Sequence, residues 1–314
     1  MLVFALRRLL SAIPTLLIVT LVVFAMVQLL PGDPARLLLG EEATPQALAE
    51  LRRSLGLDRP LPEQYLRWLF DVLHFDFGAS VRDHTSVSSL IAEKLPTTMQ
   101  LAGFAMLIAM LIALPAGILG ALKRGSWVDQ VLTLFALSGI SLPNFFLGIL
   151  LIYVFSIRLA WVPASGYVGF FEDPVKNLLL LVLPAITLGV HSAAVLARYL
   201  RGSLIETLFQ DYVRTAHAKG VSGARVTFRH ALRNALIPVV TAFGLQLGGL
   251  LGGAVITEQI FSVPGFGRLL VDAVYTRDLP VIQGVVLVSA VAVFLVSFAV
   301  DLLYAALDPR IRYQ

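Results

Sequence analysis

The sequence predicts an all-α integral membrane protein with six transmembrane helices, and three observations predict it. Apolar residues make up 58% of the 314 positions and charged residues only 14%, against about 25% charged in soluble domains. Lipid has to be part of the solvent, because a soluble fold of this composition would be left with large exposed apolar patches. Six stretches longer than twenty residues hold no Asp, Glu, Lys or Arg: Leu9–Gly32, Leu95–Leu122, Gln130–Ile157, Asn177–Ala197, Asn234–Thr257 and Leu279–Val300. A helix needs roughly 20 apolar residues to cross the hydrocarbon core. A spanning segment must also satisfy its own backbone hydrogen bonds, which excludes an open sheet.

Each span has its own features. The first follows Arg7 and Arg8 and ends in Leu30-Pro31-Gly32-Asp33-Pro34 rather than in a small-residue cleavage site, so it reads as an uncleaved anchor. Pro14, Pro115, Pro143, Pro184 and Pro238 lie within or near the spans, where kinks are tolerated better than in water-exposed helices. The fifth span carries Gly244, Gly248 and Gly252 at spacings of four, one face that lets a neighbouring helix approach closely. The organisation read from this pattern is an N-terminal anchor helix over 1–30, a large external loop with short helices over 31–94, and a five-helix core over 95–314 with a loop at 198–233.

Six crossings put both termini on one side. The segments on that side hold 13 Lys and Arg against 5 acids, and the opposite segments hold 11 against 15. The short loops carry the bias, so both termini are expected to be cytoplasmic. In the external loop, Thr44-Pro45 offers a helix start and Gly56 a stop. Pro62–Leu73 places Tyr65, Trp68, Leu69 and Val72 on one face. Two readings stand for that pair of helices: interfacial anchors at headgroup depth, or a cap over a pore mouth.

The segment 198–233 is the most informative. Asp211 can cap a helix over Tyr212–Lys219 that Gly220 ends. Ser222 can begin a second helix, with Arg225, Arg229 and Arg233 along one face. Small residues at Ala216 and Ala218 would let another protein approach; the alternative is a basic loop touching anionic lipid.

Composition and motifs exclude several chemistries. With no cysteine, disulfides, thiolate metal sites and cysteine nucleophiles are out. No lysine follows a glycine, so there is no phosphate-binding loop, and the five histidines lack metal-ligand spacing. Gly220-Val221-Ser222-Gly223 matches the G-x-S-G of rhomboid-like intramembrane serine proteases, but Ser222 lies among Lys219, Arg225 and Arg229, and the last span has no histidine to serve as base. An ion-coupled secondary transporter would place ionisable groups inside the spans; His191 alone qualifies. Glu258 and Asp301 sit at span ends, where they are expected to reach the interface. No catalytic residue, metal, bound cofactor or nucleic-acid partner is expected.

The run Asp211-Tyr212-Val213-Arg214-Thr215-Ala216-His217-Ala218-Lys219-Gly220, followed by Arg229-His230-Ala231-Leu232-Arg233-Asn234-Ala235-Leu236-Ile237-Pro238, resembles the coupling loop of ABC importer permeases. More narrowly, it resembles the first permease of the dipeptide/oligopeptide/nickel group, which includes glutathione-type transporters. Leu55-Gly56-Leu57-Asp58-Arg59-Pro60-Leu61, Leu183-Pro184-Ala185, Thr257-Glu258, Pro264-Gly265-Phe266-Gly267 and Val300–Arg310 extend the resemblance over nearly the whole chain. The sequence departs from the general coupling pattern at Arg214-Thr215-Ala216 and at His230–Arg233. It also carries Phe75 where the subgroup often has glycine before Asp76-Phe77-Gly78. The resemblance implies a type I importer permease without enzymatic activity of its own. It implies a second homologous permease, two cytoplasmic ATPases carrying ATP and Mg, and an extracytoplasmic binding protein that delivers short peptides. It assigns Asp211, Tyr212, Arg214, Thr215, Ala216, Ala218, Lys219 and Gly220 to ATPase coupling.

Overall fold

A computed structural model describes residues 2–29, 44–54, 56–252 and 254–307. The expected motif at Leu30–Pro34, Gly253 and the end of the Val300–Arg310 tail lie outside these residues. In order, the helices are α1 (Leu2–Leu29), α2 (Pro45–Ser54), α3 (Leu61–Leu73), α4 (Val87–Leu122), α5 (Trp127–Ser141), α6 (Asn144–Arg158), α7 (Pro174–Leu208), α8 (Asp211–Ala218), α9 (Gly223–Leu251), α10 (Val255–Ile260), α11 (Phe266–Thr276) and α12 (Leu279–Leu307). By length and composition α1, α4, α7, α9 and α12 can each cross a membrane, and α5 with α6 form a broken sixth span.

The helices overrun the charge-free stretches. Helix α4 begins eight residues before Leu95 and is 36 residues long, about 54 Å at the usual rise per residue. That exceeds a hydrocarbon core of roughly 30 Å, so Glu93 and Lys94 mark where the helix leaves the membrane, not where it starts. The fifth span ends earlier than expected: α9 stops at Leu251, and Thr257 and Glu258 belong to the separate α10.

The third span corrects the expectation of a simple crossing. Helices α5 and α6 meet at 103°. Leu142 is extended (ψ 124°), the conformation favoured before a proline, and Pro143 then precedes the first residue of α6. The broken pair nevertheless crosses once as a unit. An ideal Cβ on Gly189 would fall 2.9 Å from the Ala105 carbonyl oxygen, and one on Gly117 would fall 2.8 Å from Leu200. Contacts therefore advance together along α4 and α7, which run parallel, and 123–173 must return the chain to the face where α4 began.

The other neighbours are antiparallel. Gly244 meets Val300 and Gly248 meets Val293, which aligns α9 against α12. Arg8 pairs with Asp301, so α1 starts where α12 ends. Tyr304 donates to the Ile237 carbonyl at 3.1 Å. One face therefore holds the start of α1, the 123–126 turn, the α7–α9 connection and the end of α12. The far face holds α2, α3, 159–173, α10 and α11.

On the far face, Thr44 starts α2 as expected, its Oγ1 accepting from the Ala47 amide at 3.3 Å. Gly56 (φ +67°) stops it: its amide reaches the Arg53 carbonyl and the Leu57 amide reaches that of Arg52, the glycine-ended helix stop. The aromatic face of α3 packs on α1. Tyr65 and Trp68 stand 5.5 and 5.8 Å from the Phe24 ring, and Tyr65 shares a 2.9 Å hydrogen bond with Thr20. The opposite stripe of Leu66, Phe70 and Leu73 stays exposed.

Candidate functional site

Helix α8 lies between the ends of two long helices. Its stop is the one the sequence predicts: Gly220 has φ +77°, its amide donates to the His217 carbonyl and the Val221 amide to that of Ala216. Only glycine reaches this backbone conformation at no steric cost. Its start differs. Gln210 occupies the cap position and Asp211 is the first helical residue, its exposed carboxylate 3.6 Å from Arg214. Asp211 thus complements the positive helix end rather than capping it.

One stripe of α8 is anchored and the rest is open. Val213 is 1% exposed, in a cluster with Leu204, Val226, Ala231 and Ala235, and Ala216 and Val221 pack against the same cluster. Ala216 is therefore partly buried against the protein, while Ala218 is open. Tyr212 accepts from Asn234 Nδ2 at 2.8 Å, tying α8 to α9. Asp211, Arg214, Thr215, Ala218, Lys219 and Gly220 remain exposed. A push on that surface would reach α7 through the short turn at 209–210 and α9 through Val213 and Tyr212.

Helix α9 is continuous from Gly223, but Val226–Ala231 is wound as π-helix. Arg225, Arg229 and Arg233, expected along one face, are all exposed. Ser222 is exposed at the start of α9, outside the spans and not at the depth a protease would need. Ser192, beside His191, accepts from Gln246 at 3.4 Å. Among the described residues no group of three or more His, Cys, Asp or Glu could hold a metal.

The predicted glycine face divides. Gly244 and Gly248 pack on α12, and at Gly244 an added Cβ would fall 2.3 Å from Val300. At Gly252, which closes α9, an added Cβ would meet the carbonyls of Gly248 and Gly249 of its own helix.

Two acidic residues acquire roles that sequence reading missed. Asp129, 5% exposed, receives a two-pronged hydrogen bond from Arg201, Nε to Oδ1 at 2.6 Å and Nη2 to Oδ2 at 2.8 Å. The Gly125 amide adds a third at 2.9 Å. Ser126 caps α5, a start legible in Ser126-x-x-Asp129, but nothing in the sequence pairs Asp129 with a residue 72 positions away. Glu258 is wholly buried rather than interfacial. It accepts from Thr98 Oγ1 and from the Arg268 amide, both at 2.8 Å. Burial pushes its carboxyl above the ordinary value, opposed by those donors.

Comparison with known proteins agrees with this architecture. Residues 113–313 match the family described as binding-protein-dependent transport system inner membrane component, and residues 1–102 match the N-terminal family of such membrane components. The chain is 47% identical, over the full length of both proteins, to the glutathione transport system permease protein GsiC of Salmonella paratyphi A. It is 46% identical, again over both full lengths, to GsiC of Escherichia coli K12. Among solved structures, the MetNI methionine ABC transporter in its inward-facing conformation superposes with a TM-score of 0.58 at 19% identity, covering 70% of this chain and 96% of that one; this likeness shows the fold. With two family matches that between them take in both ends of the sequence, the chain belongs to the binding-protein-dependent transport system inner membrane components, the permease subunits of ABC importers.

Proposed function

We propose that this permease forms half of the translocation path for short peptides, glutathione among them, in an importer built from two permeases, two ATPases and a binding protein. The observation that carries the reading is the full-length identity of 46–47% to proteins named as glutathione transport permeases. The exposed side of α8 is then the surface that takes the ATPase stroke, on a cytoplasmic face that also bears both termini. ATP binding moves α8, and the helices attached to it switch the path between its two openings as rigid pieces.

The test is ATP-dependent uptake in vesicles containing the four kinds of subunit, with glutathione, di- and tripeptides and nickel as competing cargoes. Peptide uptake is expected, and Ala218→Trp or Gly220→Pro should abolish its ATP dependence. Ala218→Trp puts bulk on the open surface, and Gly220→Pro forbids the positive φ. Uptake of nickel alone would overturn the peptide reading. Uptake that runs on an ion gradient without ATP would favour a secondary transporter.

A further inference from the structure

We propose that Asp129 and Arg201 form a positioning pair that makes the broken span follow the coupling stroke; the inference rests on the reading of α8 given above. Arg201 lies on α7, ten residues before Asp211 and within the last two turns of that helix. Its side chain is the junction of three elements. The stem passes Gly120 of α4, where an added Cβ would come 3.2 Å from Arg201 Cδ. The guanidinium grips Asp129 in the first turn of α5. Asp129 in turn holds the 123–126 turn through the Gly125 amide.

The geometry makes α5 a strut. At its loop end it is fixed to α7 by the charge fork. Near the bend it is fixed again, for Gly139 lies so close to α7 that a Cβ there would fall 2.8 Å from Ala194. Beyond Leu142-Pro143, α6 gains an anchor that α5 lacks: Gly148 sits against Phe261 of the α10–α11 connection, besides Thr187 of α7. A displacement of the loop end of α7 is therefore delivered by α5 to the 103° bend, where two extended residues can absorb the rotation. A planar guanidinium bound at both prongs fixes orientation as well as distance, which a lysine ammonium would not. That directional restraint is what a strut requires.

The experiment measures glutathione imported per ATP hydrolysed in vesicles containing the whole transporter. Asp129→Asn and Arg201→Met should each lower that ratio about tenfold, with Arg201→Lys falling between them and the parent. An anchor with no part in transmission would reduce the amount of folded transporter and leave the ratio of the surviving molecules intact; that result in all three variants overturns the proposal. As the chain has no cysteine, Asp129→Cys with Arg201→Cys supplies an independent arm. Bridging the two thiols with a short, reducible bis-thiosulfonate should restore coupling, and reduction should remove it; a ratio indifferent to the bridge also overturns the proposal. Ala218→Trp is measured in parallel. If it uncouples while the pair variants do not, the strut fails and the coupling reading survives; if it leaves coupling intact, the reading of α8 itself fails.

Discussion

Phe75 shows how one residue can be at odds with its position. It follows α3 with φ +62°, and its amide reaches the Val72 carbonyl while the Asp76 amide reaches that of Asp71. This is the same helix stop that Gly56 and Gly220 make, built on a phenylalanine. A side chain in the left-handed region costs about 1–2 kcal/mol, and Phe75 is 77% exposed, so it recovers little by packing. Phe75→Gly should therefore stabilise the protein by about 1 kcal/mol, seen as a higher melting temperature in detergent. The departure from the subgroup's glycine was visible in the sequence, but its cost was not, because the backbone angle depends on where α3 ends. Glu258 is the opposite case. It reaches the amide of Arg268, and Thr98 accepts from that of Phe266 at 2.7 Å. Two unpaired amides at the start of α11 are thus satisfied from α10 and α4. Glu258→Ala strands buried donors at about 1–3 kcal/mol each and should lower the melting temperature well beyond Glu258→Gln, which keeps one acceptor. Gly265→Ala should behave similarly, since its Cβ would fall 2.3 Å from the Glu258 carboxyl carbon. An acid after an apolar run was expected at the interface; only the returning loop at 261–266 buries it.

At the scale of elements, charge-free runs located every span but misjudged its ends. Exclusion from hydrocarbon is what the runs record, and the helices continue into water as long as their backbone bonds hold. The break in the third span was marked by Pro143, yet Pro14, Pro115, Pro184 and Pro238 lie within helices that continue through them. What separates Pro143 is packing after the break. Gly148 admits Phe261, whose ring would lie 3.2 Å from a Cβ at that position. Gly148→Leu should accordingly destabilise the protein by about 1–3 kcal/mol, the usual range for overpacking. Pro143→Ala should cost less than about 1 kcal/mol, because α6 stays docked. Thermal unfolding of the two variants side by side checks the order; a larger loss at Pro143 would make the proline, rather than the docking of α6, the cause of the bend. The 211–220 segment was legible as a short helix with a glycine stop, whereas the partial burial of Ala216 was not, since it depends on which stripe meets the Val213 cluster.

For the molecule as a whole, the pairing of helices and the distribution of charge give one topology. Parallel α4 and α7 force 123–173 to cross back, and antiparallel α9 and α12 bring the α7–α9 connection to the face where α1 begins. That face carries the excess of Lys and Arg, 13 against 5 acids, and so is expected to be cytoplasmic. The absence of native cysteines makes the expectation measurable. Lys219, exposed after α8, and Phe171, 97% exposed in the 159–173 connection, lie on opposite faces in this topology. With a membrane-impermeant maleimide, Phe171→Cys should be labelled in intact spheroplasts and Lys219→Cys only after permeabilisation. Labelling of both in intact spheroplasts would put the two ends of α7 on one side of the membrane, and its reading as a crossing helix would have to be wrong. The reverse pattern would place α8 outside, beyond the reach of any cytoplasmic ATPase, and would mean either that the whole fold is inverted or that the broken pair turns back without crossing.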